Sequence, residues 1–332
     1  MITVMTRRSA RPRTHAAPRN AGDDTQEIPK RALGRTGAYV SAIGLGGFHL
    51  GQVGTEKEAI EIVHAAIDAG VTFMDNAWEY HDGKSETRMG KALAGGWRER
   101  VFLMTKCCTH GRDAKTAMRQ LEESLRRLKT DHLDLWQLHE VAYWNDPERH
   151  FAPGGAAEAL LKAKEQGKVR FVGFTGHKHP ELHLRMLAHD FPFDTCQLPL
   201  NPFDASFRSF EREVLPELLK RGIAPIGMKS MGGEGDAVTK RVITAEESLR
   251  YAMSLPVATT VSGVDSMRVL RQNLKVARGF QPYTAHEMER LRDRCSGPAA
   301  DGRFELYKVT AKHEADEGRK QHGFPSQEEM AG

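Results

Sequence analysis

Between residues 28 and 280, short β-rich apolar runs alternate with longer segments in which apolar residues recur every three or four positions. Runs of the first kind read as strands and segments of the second as amphipathic helices. IPKRALGRTGAYVSAIGLGG (28–47) reads as a hairpin turning at Gly34 and Gly37, followed by a strand. TEKEAIEIVHAAIDAG (55–70) has a Thr cap, acids behind it and Gly70 as its stop, so it predicts a helix. The strand VTFMD (71–75) comes next, then a helix over 85–96 with Ser85 as its cap, then the strand VFLMTK (101–106). Segment 113–128 lines Ala117, Leu121, Leu125 and Leu128 along one side of a helix, and LDLWQLH (133–139) is a strand. The second half repeats the theme, with helices over 154–167, 179–189, 210–222, 245–255 and 266–277. Its strands fall at 169–176, 193–198, 223–229 and 258–263.

Eight strands, each followed by helix, over about 240 residues predict an α/β fold of the (β/α)8 TIM-barrel type with an N-terminal β-hairpin. A doubly wound sheet would want GxGxxG after its first strand, and GLGGFHLG (44–51) does not fit. The expected division is a disordered basic arm over 1–27, the barrel over 28–282 and a C-terminal helical, charged extension over 283–332. In that extension a helix at 285–295 precedes AKHEADEGRKQHG, which offers little to bury.

Composition narrows the function classes. The 332 residues contain no apolar run near the roughly 20 residues of a membrane-spanning helix, so no membrane role is expected. The net charge is +4, but residues 1–20 hold Arg7, Arg8, Arg11, Arg13 and Arg19 with no acid, so residues 21–332 stand at −1. That leaves no basic stripe for nucleic acid. Arg7-Arg8 invites a twin-arginine export reading, but the residues that follow are polar rather than apolar. Cys107, Cys108, Cys196 and Cys295 form no disulfide framework or metal spacing and read as reduced thiols of a cytoplasmic protein.

In a barrel, chemistry sits at the C-terminal ends of the strands. There the second strand ends in Asp75 with Tyr80 in its loop, the third ends in Lys106 and the fourth in His139. An acid can hold the ammonium, and the ammonium can lower the phenol's pKa. The phenol can then protonate a carbonyl oxygen that a neutral imidazole orients. Taken singly, Asp75 could cap a loop, Lys106 could pair with it structurally, and His139 could be a satisfied polar residue. Jointly these readings leave four matching strand ends unexplained.

The strings LGRTG…VSAIGLGG, FMDNAWEYHDGKSETRMGKAL, MTK, LDLWQLH and GVDSMRVLRQNL, in this order over about 28–280, resemble the aldo-keto reductase family. The second matches the family's Asp-x-Ala-x-x-Tyr-(x)-Gly-x-Ser-Glu signature with one residue inserted before Gly83. The resemblance implies an NADPH-dependent carbonyl reductase that requires no metal. Asp75 would position the lysine, Tyr80 act as general acid, Lys106 lower the tyrosine's pKa and His139 orient the carbonyl of a small-molecule substrate.

It also implies a cofactor groove. Gly47 belongs to it, and Thr175 stands where the family places a serine, while Gly176 replaces an asparagine for which His177 can compensate. Gln197 matches the carboxamide-binding glutamine. Met228 replaces a stacking tyrosine, and Lys229 and Ser230 would face the pyrophosphate. Gly263, Asp265, Arg268, Gln272 and Asn273 correspond to the adenosine-phosphate segment. Asp265 disfavours a 2′-phosphate and opens NADH as a second cofactor, unless it serves only as the cap of its helix; Arg268 still favours NADPH. Trp78 and Trp144 are assigned to the substrate pocket, Trp144 together with Tyr143 as an apolar wall. His177, His179 and His183 invite a metal reading, but with a helix starting at Pro180 no metal is assigned. Cys295 alone in the tail allows no iron–sulfur cluster. Two alternatives stay open: a non-catalytic NADP(H)-binding regulatory or redox-sensing subunit, and an aldolase or isomerase using Lys106 as a Schiff-base nucleophile. Substrate identity and oligomeric state are not legible.

Overall fold

The computed structural model describes residues 26–331; the basic arm expected over 1–27 lies almost wholly outside them. A two-stranded antiparallel hairpin, β1 (Lys30–Ala32) and β2 (Tyr39–Ser41), precedes the eight barrel strands. These are β3 (Ile43–Gly46), β4 (Phe73–Asp75), β5 (Phe102–Cys107), β6 (Leu133–Leu138), β7 (Val169–Thr175), β8 (Thr195–Pro199), β9 (Ala224–Met228) and β10 (Thr259–Gly263). All pair in parallel in chain order, and β10 returns to β3 to close the ring. This is the predicted (β/α)8 barrel.

Strand alternation separates two layers of core. Phe73, Phe102, Met104, Leu135, Ile226 and Val261 point inward, where Leu33 and Val40 of the hairpin join them and plug the N-terminal end. Met74, Leu103, Trp136, Leu138 and Phe174 point outward against the helices. The same parity carries upward. Lys106 follows Phe102 and Met104 on the inward side and pairs in register with Gln137, as Met104 does with Leu135. Asp75 follows Phe73 two residues on, and Thr175 and Gln197 are register partners. The alternation that fills the barrel floor therefore delivers polar side chains to its mouth.

The helices fall close to their expected places, with three local corrections. Helix Lys84–Ala92 is not capped by Ser85: Gly83, in left-handed geometry, sits at the cap, while buried Ser85 donates to the Gly47 carbonyl at 2.6 Å. Segment 210–222 is two helices, Phe210–Glu213 and Leu215–Arg221. Helix Met267–Ala277 is capped by Ser266, whose Oγ accepts from the Val269 amide; Asp265 is not the cap. Gly90 lies where two outer helices approach, and a Cβ there would come within 2.2 Å of the Arg127 carbonyl oxygen.

The extension departs most from expectation. After helix Ala285–Ala299, residues 304–331 fold back over the mouth in three short helices and bury Glu305, Tyr307, Lys308 and Arg319. The fully buried Lys308 amine donates to Asp204 Oδ1 at 2.7 Å, Glu305 Oε2 at 2.8 Å and the Phe207 carbonyl at 2.8 Å. Glu305 also accepts from Tyr307 Oη at 2.5 Å and from Asn201 at 3.0 Å. The tail does have something to bury, and beside Phe304 and the Tyr307 ring much of what it buries is charged. Among the described residues no helix is long and apolar enough to cross a membrane.

Candidate active site

The loop after β4 runs along the neighbouring strand, the Trp78 amide donating to the Lys106 carbonyl at 3.0 Å. This brings Tyr80 over the end of β5. Lys106 is fully buried and its amine donates to Asp75 Oδ1 at 2.6 Å, to the Asn76 carbonyl at 2.8 Å and to Tyr80 Oη at 3.4 Å. The His139 ring meets the Tyr80 ring edge-on with centroids 5.8 Å apart. Asp75, Lys106 and His139 at three adjacent strand ends and Tyr80 in its loop, all named from sequence, therefore converge.

Two carboxylates join them that sequence reasoning passed over. Glu79, immediately before Tyr80, contacts His139 Nδ1 through Oε1, both side chains being largely shielded. Glu140 follows His139 through a cis peptide bond and bonds His177 Nε2 at 2.9 Å. A carboxylate thus does meet one of the histidines of the 177–183 stretch, from a strand distant in sequence. The signal was available: each acid is the chain neighbour of a residue already singled out.

These acids reverse one expectation. Burial first, then Asp75, Glu79 and Glu140, push the Tyr80 phenol well above its usual pKa. The hydroxyl stays protonated. Although burial opposes it, the hydrogen bond and charge of His177 keep the Glu140 carboxyl below its usual range. Burial in turn lowers His177, so the pair is a carboxylate accepting from a neutral ring, whose Nδ1 is then a free acceptor.

The cofactor candidates ring the same mouth. Thr175 and Gln197 are buried at the ends of β7 and β8, and Gln197 Nε2 lies 3.4 Å from Asp75 Oδ1. Gln197 Oε1 and His177 Nδ1 are buried without a hydrogen-bond partner, two acceptors suited to a carboxamide NH2. Met228 ends β9, Ser230 is buried, and Lys229 between them takes a left-handed backbone (φ 52°) while its carbonyl accepts from Asn201 at 3.3 Å. The Lys229 amine lies 5.1 Å from the Tyr307 ring centroid and makes no ion pair among the described residues. Burial, opposed by Glu140 and Glu234 and reinforced by Lys106, brings it down to about 8. A half-buried ammonium with no ion pair among the described residues and two unpartnered acceptors fit a ligand with a phosphate and an amide.

Other candidates play different parts. Gly47 sits under the β4 loop, where a Cβ would come within 2.5 Å of the Asp75 carbonyl oxygen; a Cβ on Gly263 would meet the His49 ring at 2.1 Å. Asn273 is buried and donates to Ser262 Oγ at 3.1 Å, Gln272 is half-buried, and Asp265 and Arg268 are exposed at the start of their helix. Trp78 turns away from the mouth: its indole N–H donates to Glu123 at 2.7 Å and its ring lies between Arg119 and Arg127 of helix Ala114–Leu128. Trp144, half-exposed, lines a separate cleft of about 470 Å³ with Tyr143, His179, Arg208 and tail residues. All four cysteines are buried, and burial raises the Cys107 thiol to about 12.

The Aldo/keto reductase family profile matches residues 42–246. Aldo-keto reductase YhdN of Bacillus subtilis is 34% identical over 200 residues, 56% of this chain and 56% of its own length. A 6-dehydroglucose reductase of Novosphingobium aromaticivorans is 31% identical over 217 residues, covering 61% of this chain and 69% of that protein. The chain thus spans little more than half the length of the first relative. Among solved structures, aldo-keto reductase AKR11C1 from Bacillus halodurans, in its holo form, shares the fold at 22% identity. Its TM-score is 0.68 over 81% of this chain and 96% of that one. A thermostable aldo-keto reductase, Tm1743, solved with the inhibitor epalrestat, is 26% identical with a TM-score of 0.65, covering 80% of this chain and all of its own. With the barrel closed, the strand-end residues gathered and a profile spanning more than half the sequence, the chain belongs to the aldo/keto reductase family.

Proposed function

We propose that this protein reduces an aldehyde or ketone to the alcohol with a nicotinamide cofactor, NADPH in first place. The observation that carries the reading is the Lys106 amine lying between Asp75 Oδ1 and Tyr80 Oη. A reduced nicotinamide, when bound, supplies hydride to the carbonyl carbon. Tyr80 Oη donates its proton to the carbonyl oxygen, and Lys106 stabilises the phenolate left behind. Asp75 and the Asn76 carbonyl restrain Lys106 so that its third donor stays on the phenol. His139 orients the carbonyl. Gln197, His177 and Thr175 would hold the carboxamide, and Met228 would lie against the ring. Lys229 and Ser230 would take the pyrophosphate and the 265–273 segment the adenosine end. Exposed Arg268 supports NADPH, whereas Asp265, which accepts from Ser266 Oγ, supports NADH as the alternative.

Titration of the chain's fluorescence with NADPH and NADH, followed by a carbonyl panel read at the nicotinamide absorbance, tests this. Saturable binding, tighter for NADPH, with turnover of at least one carbonyl is expected; failure to bind either dinucleotide overturns the reading. Binding without turnover across the panel would favour the regulatory alternative.

Lys229 adds a pH dependence. Its folded-state pKa of about 8 leaves the amine charged at pH 7 and mostly neutral at pH 9. If only the charged form holds the phosphates, the Kd for the dinucleotide rises by up to about tenfold between pH 7 and 9. In Lys229→Met the affinity should be weaker at pH 7 and nearly flat across that range. An equally steep profile in the variant would remove Lys229 from the phosphate site.

A further inference from the structure

We infer that the cleft between the tail and the loops after β6, β7 and β8 is a ligand site in its own right, taking a small organic anion with a flat aromatic body. None of Asp75, Tyr80, Lys106 and His139 lines it, which sets it apart from the proposed carbonyl-reducing centre.

The shape suits a small molecule. The cleft holds about 470 Å³, within the roughly 300–1,000 Å³ of small-molecule sites. Rings line it. Trp144 and His179 lie with centroids 5.1 Å apart, and Tyr143 and Phe324 stack at 5.6 Å. Trp144 is 53% exposed and Phe324 48%. One exposed ring alone is ordinary. Here two, from opposite halves of the chain, open onto a single concavity and leave apolar faces that a flat ligand would cover.

The charge suits an anion. Lys178, Arg208 and Arg319 line the cleft against a single carboxylate, Glu314, so two positive charges are in excess. Glu314 is already engaged: Oε1 accepts from Lys178 at 2.7 Å, and Oε2 from Tyr143 at 3.1 Å and Arg319 at 2.8 Å. Arg208 is not. Its Nη1 donates to the Lys308 carbonyl at 2.9 Å, and no carboxylate pairs with it among the described residues. Nε and Nη2 are left as a planar pair of donors, the fork that grips a carboxylate in two places. His179 adds another donor. Its Nδ1 accepts the Glu181 amide at 3.2 Å, so the neutral ring carries its proton on Nε2. Burial and then Arg208 lower this ring's pKa, outweighing Glu181 and Glu213, so neutral is the form it favours. The unspent hydrogen-bonding capacity of the cleft is therefore donors, and an anionic head is what they can bind.

Such a ligand would touch tail and barrel at once. Glu314, Arg319 and Phe324 of the tail share the cleft with Trp144, His179 and Arg208 of the barrel loops. Whatever binds only when the tail is docked holds it down by mass action.

Isothermal titration of the full chain without dinucleotide tests this, with 1-naphthoate as the probe. 1-Naphthylmethanol supplies the ring without the charge, and inorganic phosphate the charge without the ring. Saturable naphthoate binding is expected, with a Kd at least about tenfold below that of either control. Arg208→Met removes the fork and Trp144→Ala one wall. Each should raise the naphthoate Kd about tenfold, with urea melts confirming that the variant folds. Naphthoate should also slow proteolytic cleavage of the tail several-fold in the wild type and not in the variants. Absence of saturable binding, an alcohol that binds as well as the acid, a tail left unprotected at saturating naphthoate, or an unchanged naphthoate Kd in a folded variant would overturn the proposal. The last of these would place the probe elsewhere, at the barrel mouth for instance.

Discussion

Tyr80→Phe is expected to cut kcat for carbonyl reduction by about 10³-fold while changing the dinucleotide Kd by less than about twofold, the scale of loss for a positioned general acid. The substitution removes one oxygen and leaves the ring's neighbours in place. Phe48 meets it edge-on at 5.3 Å, His139 does so at 5.8 Å, and the Lys106 amine lies 5.0 Å from its centroid. Lys106 keeps Asp75 and the Asn76 carbonyl, so no charge is stranded. What disappears is the one hydroxyl that touches the ammonium. Single-turnover mixing of variant and reduced cofactor with a substrate, beside a binding titration, separates the two effects. A kcat within about threefold of wild type would take Tyr80 out of the acid's role.

Lys308→Met should be the most destabilising change among those considered, costing about 3–5 kcal/mol because it strands two buried carboxylates. Asp204 and Glu305 share the Lys308 ammonium, and none of the three side chains is more than 1% exposed. Asp204 keeps Ser209 Oγ and the Phe210 and Glu211 amides, but Glu305 keeps only Tyr307 and Asn201. Burial, and the nearby charge of Asp204, already raise the Glu305 carboxyl, and losing the ammonium raises it further. A group with a raised folded-state pKa stabilises below its unfolded value and loses that contribution as pH rises through the folded one. The variant should therefore be less destabilised near pH 5 than near pH 8. Urea melts at both values measure this, with limited proteolysis reporting whether the tail detaches first. A loss below about 1 kcal/mol at pH 8 would mean the cluster is not what holds the tail.

The barrel was legible because its strands are continuous apolar runs with inward and outward neighbours, as in Phe102-Leu103-Met104. Its site was legible for the same reason one step further along, since Asp75, Lys106 and His139 interrupt those runs where the parity still points inward. Ser85 and Glu86 belong to the signature string, yet they pack: Ser85 ties down Gly47, and Glu86 accepts from Thr105 at 2.7 Å and Arg127 at 3.1 Å. A string match shows that residues recur together without showing what each one does. Trp78 was misread because its neighbours in sequence face the mouth while its own side chain leaves the loop on the opposite side. Glu79 and Glu140 were missed because an acid beside a catalytic residue looks like ordinary surface charge until a fold supplies its imidazole. The tail was misjudged more deeply. Glu305, Lys308 and Arg319 read as solvated residues by composition, and only pairing in space, Lys308 with Glu305 and Asp204 and Arg319 with Glu314, makes them a core.

That pairing has a temporal side. Lys308 lies 104 residues after Asp204 in the chain, so at about 5–20 residues per second a ribosome delivers the ammonium roughly 5–20 s after the aspartate it neutralises. Until then Asp204, in the loop after β8, has Ser209 Oγ and two backbone amides but no ammonium. During synthesis this wall of the catalytic mouth therefore cannot complete its charge pairing until the tail has been made.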